Sequence, residues 1–225
     1  MFERFHKRSY ELERLDTGDY TPAEYRRWQQ EMRFIHRIFG EMRALQRTLF
    51  RDLNETDGPV SVLDVGAGSG ELLRALVKWT TGRRAFFVGV EINREATVAI
   101  NSNSIAAVQC NALCLPFPDD SFDFVFCSLF LHHLDDNAAV ELLKEMSRVA
   151  KRRIYAIDLN RHPMAYYFYK TFGRFLLQRF TVEDGALSIL RSFSPDELFG
   201  IGNAAGLRDV KVEHSRVNRL ILSGR

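Results

Sequence analysis

The sequence predicts an α/β fold, a doubly wound and mostly parallel sheet with helices on both faces, preceded by an N-terminal helical lid. Three observations carry that prediction. A short apolar strand, Val60 to Val65, runs into glycines at alternate positions (Gly66, Gly68, Gly70), and a helical pattern starts at once with Glu71-Leu72-Leu73. Beyond it, apolar strand-like runs alternate with amphipathic helical stretches, the order that pairs strands in parallel. The second of those strands, Phe86 to Val90, closes on an acid, Glu91, about 20 residues past the last glycine.

Taken in order, Thr21-Pro22-Ala23-Glu24 opens a helix, with threonine as cap, proline at the first helical position and glutamate three residues after the cap. Met32, Ile35, Phe39, Met42, Leu45, Leu49 and Leu53 then recur at helical spacing and predict one amphipathic helix to about Leu53, with Gly40 a costly residue inside it. This helix is either a lid over the sheet's carboxyl edge or a plain cover for the core. Asn54 to Pro59 turns into the first strand, so residues 1–56 are assigned to the lid and 57–225 to the core, with a helical substrate-side insertion at about 161–193. Strands are expected near Val60–Val65, Phe86–Glu91, Ala106–Cys110, Phe122–Ser128 and Arg153–Leu159. Helices are expected near Glu71–Trp79, Arg94–Asn101 and Asn137–Ala150. Ser194-Pro195-Asp196-Glu197 is a second capping box. The alternating stretches Val210 to His214 and Val217 to Leu222 read as a closing hairpin.

Composition narrows the function classes. At 225 residues, 46% hydrophobic, the chain affords one sizeable core. Thirty-one basic and 29 acidic residues are closely mixed, which offers no charged block for nucleic acid. No apolar run approaches the roughly 20 residues that span a bilayer, and Met1-Phe2-Glu3-Arg4 is too charged for a secretory signal. Cys110, Cys114 and Cys127 are an odd number in apolar surroundings, read as reduced thiols in the cytoplasm. With no further Cys or His at zinc-ligand spacing, no metal site is expected.

The glycine loop is where the chemistry starts. Glycines are needed where backbone takes positive φ or approaches a ligand closely, and an acid after the second strand is placed to accept from ribose hydroxyls. The spacing is G-x-G-x-G after Asp64, with Glu71 where a dinucleotide fingerprint would have its third glycine, and no lysine follows to hold phosphates. NAD(P) and ATP are therefore disfavoured. These residues resemble the first motif of the class I S-adenosylmethionine-dependent methyltransferases, and the resemblance implies S-adenosyl-L-methionine as cofactor and that family's Rossmann-like seven-stranded sheet with an antiparallel last strand. It places Asp64, Gly66, Ala67, Gly68 and Gly70 against the cofactor and Glu91, with Ile92 beside it, at the ribose.

The next segment, Asn111-Ala112-Leu113-Cys114-Leu115-Pro116-Phe117-Pro118-Asp119, is similar to the family's D-A-x-x-L-P-F-x-D pattern. By that resemblance Asn111 and Ala112 meet the adenine, Asn111 accepting from its amine where the family has an acid; otherwise Asn111 forms a turn. After the fourth strand the family lines the methyl-donor end, here Cys127, Ser128 and Leu129. The base-methylating [ND]-P-P-[YF] wall is absent there. His132 and His133 follow, and Asp158 closes the fifth strand, so the two strand ends bring these groups to one crevice. A histidine and an aspartate there deprotonate a hydroxyl, as in small-molecule methyltransferases of the ubiquinone- and menaquinone-biosynthesis type; otherwise His132, His133 and Asp158 pack and cap.

Seven aromatic residues between Tyr166 and Phe180 read as a flat apolar substrate wall, while Lys170, Arg174 and Arg179 face solvent, lipid head groups or an acidic substrate. The expected activity is methyl transfer to an oxygen of a small apolar aromatic acceptor, a phenol, quinol or polyketide-like product. C-methylation is the nearest alternative. A NAD(P)-dependent oxidoreductase and a non-catalytic, membrane-associated binding protein are the more distant ones.

Overall fold

The computed structural model describes residues 3–38 and 40–225. Each apolar run read as a strand is one: β1 Val60–Val65, β2 Ala85–Glu91, β3 Ile105–Gln109, β4 Phe122–Ser128, β5 Ala150–Leu159, β6 Lys211–Ser215 and β7 Arg219–Gly224. They form one seven-stranded sheet in the order β3-β2-β1-β4-β5-β7-β6. β1 to β5 are mutually parallel, and β7 runs antiparallel to both β5 and β6. The strand order reverses between β1 and β4, which opens the crevice beyond their carboxyl ends. The closing hairpin turns through Arg216, Val217 and Asn218, the last two at positive φ (58° and 60°). Val217 is thereby excluded from the strand.

The helices are α1 Arg14–Thr17, α2 Pro22–Ile38, α3 Glu41–Arg47, α4 Leu49–Asn54, α5 Glu71–Trp79, α6 Arg94–Ile100, α7 Asp136–Val149, α8 Pro163–Leu176, α9 Arg179–Arg191 and α10 Pro195–Ala204. Alternation along the strands sorts side chains to two faces. Leu63, Val65, Val125, Cys127 and Ala156 meet Leu142, Met146 and Leu198 of α7 and α10. Val62, Phe87, Phe124, Phe126 and Tyr155 meet Leu45, Leu49, Leu53, Leu73 and Leu76 of α3, α4 and α5. Side-chain N-caps start α2, α6, α7 and α10. Asn93 and Asp135 accept from the N–H groups of Ala96 and Ala138, and the boxes at Thr21/Glu24 and Ser194/Glu197 both close.

The single long N-terminal helix is not observed. The stretch breaks after α2 at Gly40, whose φ is +102°, and again at Thr48; Phe39 of the apolar stripe lies outside the described residues. A side chain at Gly40 would meet the Arg216 carbonyl at 2.9 Å, so the kink sits where the β6–β7 hairpin passes. The break lets α3 and α4 lie flat on the sheet, with Leu45, Leu49 and Leu53 fully buried there. The second half of the expected lid is thus a cover for the core. α3 is also tied down by Arg219, which donates from Nε and Nη2 to Glu41 Oε1 at 2.9 and 2.5 Å, both residues buried.

The insertion is a helical pair, α8 and α9, leading from the carboxyl end of β5. α2 packs on it, with the Gln178 N–H donating to Glu31 Oε1 at 2.9 Å.

Candidate active site

The glycine loop joins β1 to α5. Gly66, Gly68 and Gly70 all take positive φ (73°, 53° and 77°), which alanine tolerates poorly. The N–H groups of Gly66 and Ala67 both donate to the Val90 carbonyl at 3.0 Å, locking the loop against β2. A side chain at Gly66 would meet the Phe130 ring at 3.1–3.3 Å, whereas one at Gly68 would meet nothing within 4 Å. The loop is therefore tight on one side and open on the other. Glu91 sits across the opening, its Oε2 accepting from Gly68 N–H at 3.0 Å and its Oε1 from Ile92 N–H at 2.9 Å. Beneath the loop, Asp64 is 2% exposed. Burial, then the charge of Glu91, push its carboxyl well above the usual range.

Ile92 projects into solvent at 67% exposure, with its carbonyl accepting from Gln109. Asn111 makes a turn, its side-chain oxygen accepting from Leu113 N–H at 3.0 Å, and Ala112 is buried behind it. At the end of β4, Cys127 is buried, and the Ser128 hydroxyl is buried without a hydrogen-bond partner among the described residues. Leu129 takes a φ of +51° and donates its N–H to the Ile157 carbonyl, turning the chain over the crevice.

The reversed strand order brings His132 and Asp158 together. His132, in a 3-10 turn of Leu131–His133, places Nδ1 2.6 Å from Asp158 Oδ1 and donates its own N–H to Asp158 Oδ2 at 3.1 Å. Leu159 N–H adds a third bond at 2.7 Å. Burial pushes the Asp158 carboxyl up, but His132 and these donors together hold it below its usual value. An ionised Asp158 on Nδ1 selects the tautomer that leaves Nε2 as a base. The His133 ring lies against that of His132, centroids 4.2 Å apart, with its Nδ1 3.4 Å from Asp16.

Three residues of this cluster carry no signal in the sequence. Glu13 and Asp16 arrive on the N-terminal segment, where the Arg14 and Leu15 N–H groups donate to Asp184 of α9 at 3.0 Å each. Arg191 donates to the carbonyls of His132 and His133 and to Asp16, with Nη1 3.7 Å from Glu13. Glu13, His132 and His133 offer ligand-type atoms within 4.8 Å of one another, and the Arg191 guanidinium already places a positive charge beside them.

The chain's residues 62–153 match a methyltransferase-domain family model. A demethylmenaquinone methyltransferase of Roseiflexus sp. (strain RS-1) is 30% identical over 165 residues, 66% of this chain and 68% of that protein. The chain belongs to the class I S-adenosylmethionine-dependent methyltransferases. It is also 38% identical over 98 residues to the ubiquinone/menaquinone biosynthesis C-methyltransferase UbiE of Xanthomonas campestris pv. campestris, 40% of this chain and 38% of that one. Several curated relatives, including the first, are matched over only about 40% of their length. The solved plantazolicin methyltransferase BpumL, in complex with a pentazolic analogue and SAH, superposes with a TM-score of 0.68 at 14% identity, over 86% of this chain and 88% of that one, a likeness of fold.

The lining of the methyltransferase fits its cofactor. An open glycine cradle, the buried Asp64 carboxyl, the Glu91 carboxylate and a Ser128 hydroxyl unpartnered among the described residues suit a cationic nucleoside rich in N–H and O–H donors. Gly66→Val is expected to abolish S-adenosylmethionine binding, because it adds bulk against Phe130 at a positive φ. Isothermal titration checks this, and binding within about threefold of the unaltered protein would refute it.

Glu13 makes the methyltransferase sensitive to pH. Burial pushes its carboxyl up to about 7, against the lowering pulls of His133, Ser188 and Arg191. The folded chain keeps a proton there that the unfolded chain releases near 4.5. The stability this gives is fully present below about 4.5 and is lost progressively as pH rises to about 7. At 1.36 kcal/mol per pH unit the loss approaches about 3 kcal/mol. Glu13→Gln is therefore expected to melt higher than the unaltered chain at pH 8 and level with it at pH 4.5. A melting-temperature difference that stays constant across that window would contradict this account.

Proposed function

We propose that the protein transfers a methyl group to a small, apolar, hydroxyl-bearing aromatic ring of the phenol, quinol or polyketide type, with His132 as the base and Asp158 as its orienting partner. The 2.6 Å contact between His132 Nδ1 and Asp158 Oδ1 carries this reading. Gly66, Ala67, Gly68 and Gly70, with Asp64, would hold the cofactor's amino-acid part; Glu91 and Ile92 would hold its ribose; Asn111 and Ala112 would hold its adenine, the Asn111 amide oxygen accepting from the amine on the lone pair its turn leaves over; Cys127, Ser128 and Leu129 would line the donor end. When bound, S-adenosylmethionine supplies an electrophilic methyl on sulfur. The protein's task is to hold the ring in line with it, exclude water and remove one proton.

In this scheme His132 Nε2 takes the hydroxyl proton while Asp158 steadies the resulting imidazolium. Oxygen is the atom this deprotonation activates directly. Carbon is the second reading, favoured by the printed activity of the Xanthomonas relative, since a phenolate shares its charge with ring carbons and needs the same base. A panel of phenols and quinols with labelled methyl donor tests the proposal, and NMR of the product separates a methoxy group from a ring methyl. Failure of every hydroxylated ring, with methylation of a thiol or amine instead, would overturn it.

A further inference from the structure

On α8 the inward and outward sides differ sharply. Tyr166 and Gly173 are buried, Tyr166 edge-on to Phe5. Met164, Phe168, Phe172, Phe175 and Leu176 face out at 75, 59, 52, 83 and 70% exposure. At roughly 100° per residue these five fall within about 120° of the helix, a single stripe. The expected substrate wall is therefore split, because side chains this exposed do not enclose a ligand. One exposed apolar residue is ordinary; five side by side mark a surface with a partner.

Charge identifies the partner. α8 carries Lys170 and Arg174 and no acid, in a chain that mixes 31 basic with 29 acidic residues. Both are exposed on the same helix as the stripe, whereas Arg179, at the start of α9, is paired with Glu183 at 2.6 Å. A second copy docked face to face would set these cations against one another. We infer that α8 is an in-plane anchor for an anionic lipid bilayer, its apolar stripe entering the acyl boundary while Lys170 and Arg174 meet phosphate head groups. Among the described residues no helix is long and apolar enough to cross a membrane, so the contact is peripheral. Phe34 of α2, half exposed and one turn beyond the Glu31 that holds Gln178, adds to the apolar surface at the α8–α9 corner.

α8 begins just past the carboxyl end of β5, so docking this face sets the mouth of the crevice at the bilayer, where an apolar aromatic acceptor concentrates. The anchor stands apart from the acceptor assignment, because it is read without turnover. Flotation of the full chain with phosphatidylcholine vesicles, with and without phosphatidylglycerol, tests it. Binding is expected only with the anionic lipid and is expected to weaken with salt. The paired variants F168S/F175S and K170E/R174E should each lose on the order of tenfold or more in partitioning, with S-adenosylmethionine binding unchanged as the control for folding. No flotation with anionic vesicles, or full flotation of F168S/F175S, would overturn the anchor. So would a dimer in light scattering that F168S/F175S converts to monomer, which would give the face to a second copy.

Discussion

Replacing His132 with alanine is expected to cut methyl transfer by about 10²–10⁴-fold while leaving S-adenosylmethionine affinity within about threefold. The size follows from what the base contributes. A sulfonium methyl is already a strong electrophile, and proximity supplies most of the acceleration, up to roughly 7–11 kcal/mol; proton removal adds about 3–5 kcal/mol. The separation from cofactor binding follows from position. His132 bonds to Asp158 on β5 and, through its carbonyl, to Arg191 on α9, and neither contact touches the glycine loop. Asp158→Asn should cost less, since the imidazole stays but its tautomer is no longer selected. Activity of His132→Ala within about threefold of the unaltered enzyme would assign the dyad to packing alone.

The second large effect is on stability. Arg219→Ala is expected to cost about 3–5 kcal/mol, because it strips the guanidinium from Glu41, a carboxylate with 0% exposure in the layer between α3 and the sheet. That is a large share of the roughly 5–15 kcal/mol a domain has in total. Replacing both partners with methionine should recover most of the loss, since the burial cost of two charges disappears with them. Denaturant melts of the two singles and the double measure the coupling. A single-variant loss under about 1 kcal/mol would show that water reaches Glu41 when Arg219 is removed.

The strands were legible because their information is local. Val60 to Val65 and Phe122 to Ser128 alternate between faces whose partners lie on neighbouring helices, so the pattern in the chain is the pattern in the sheet. The same holds for the capped helices, where Asp135 or Ser194 meets an N–H three residues on. The pairing of His132 with Asp158 was readable only as a coincidence of strand ends, and it needed β4 beside β5 to become a contact.

What the sequence by itself determined, then, is the alternating α/β order, the glycine loop with its acid, and through them the class of cofactor. Each depends on residues close together in the chain, whose backbone preferences act before anything folds. Only the tertiary structure decided that the N-terminal stretch bends at Gly40, since the cause is a carbonyl on a distant hairpin. It alone decided that Glu13, Asp16 and Arg191 gather around the histidines, and that the phenylalanines of α8 turn outward. Those outcomes depend on which surfaces are left uncovered once the sheet is assembled, and on burial that changes the charge of a carboxylate far along the chain from its neighbours.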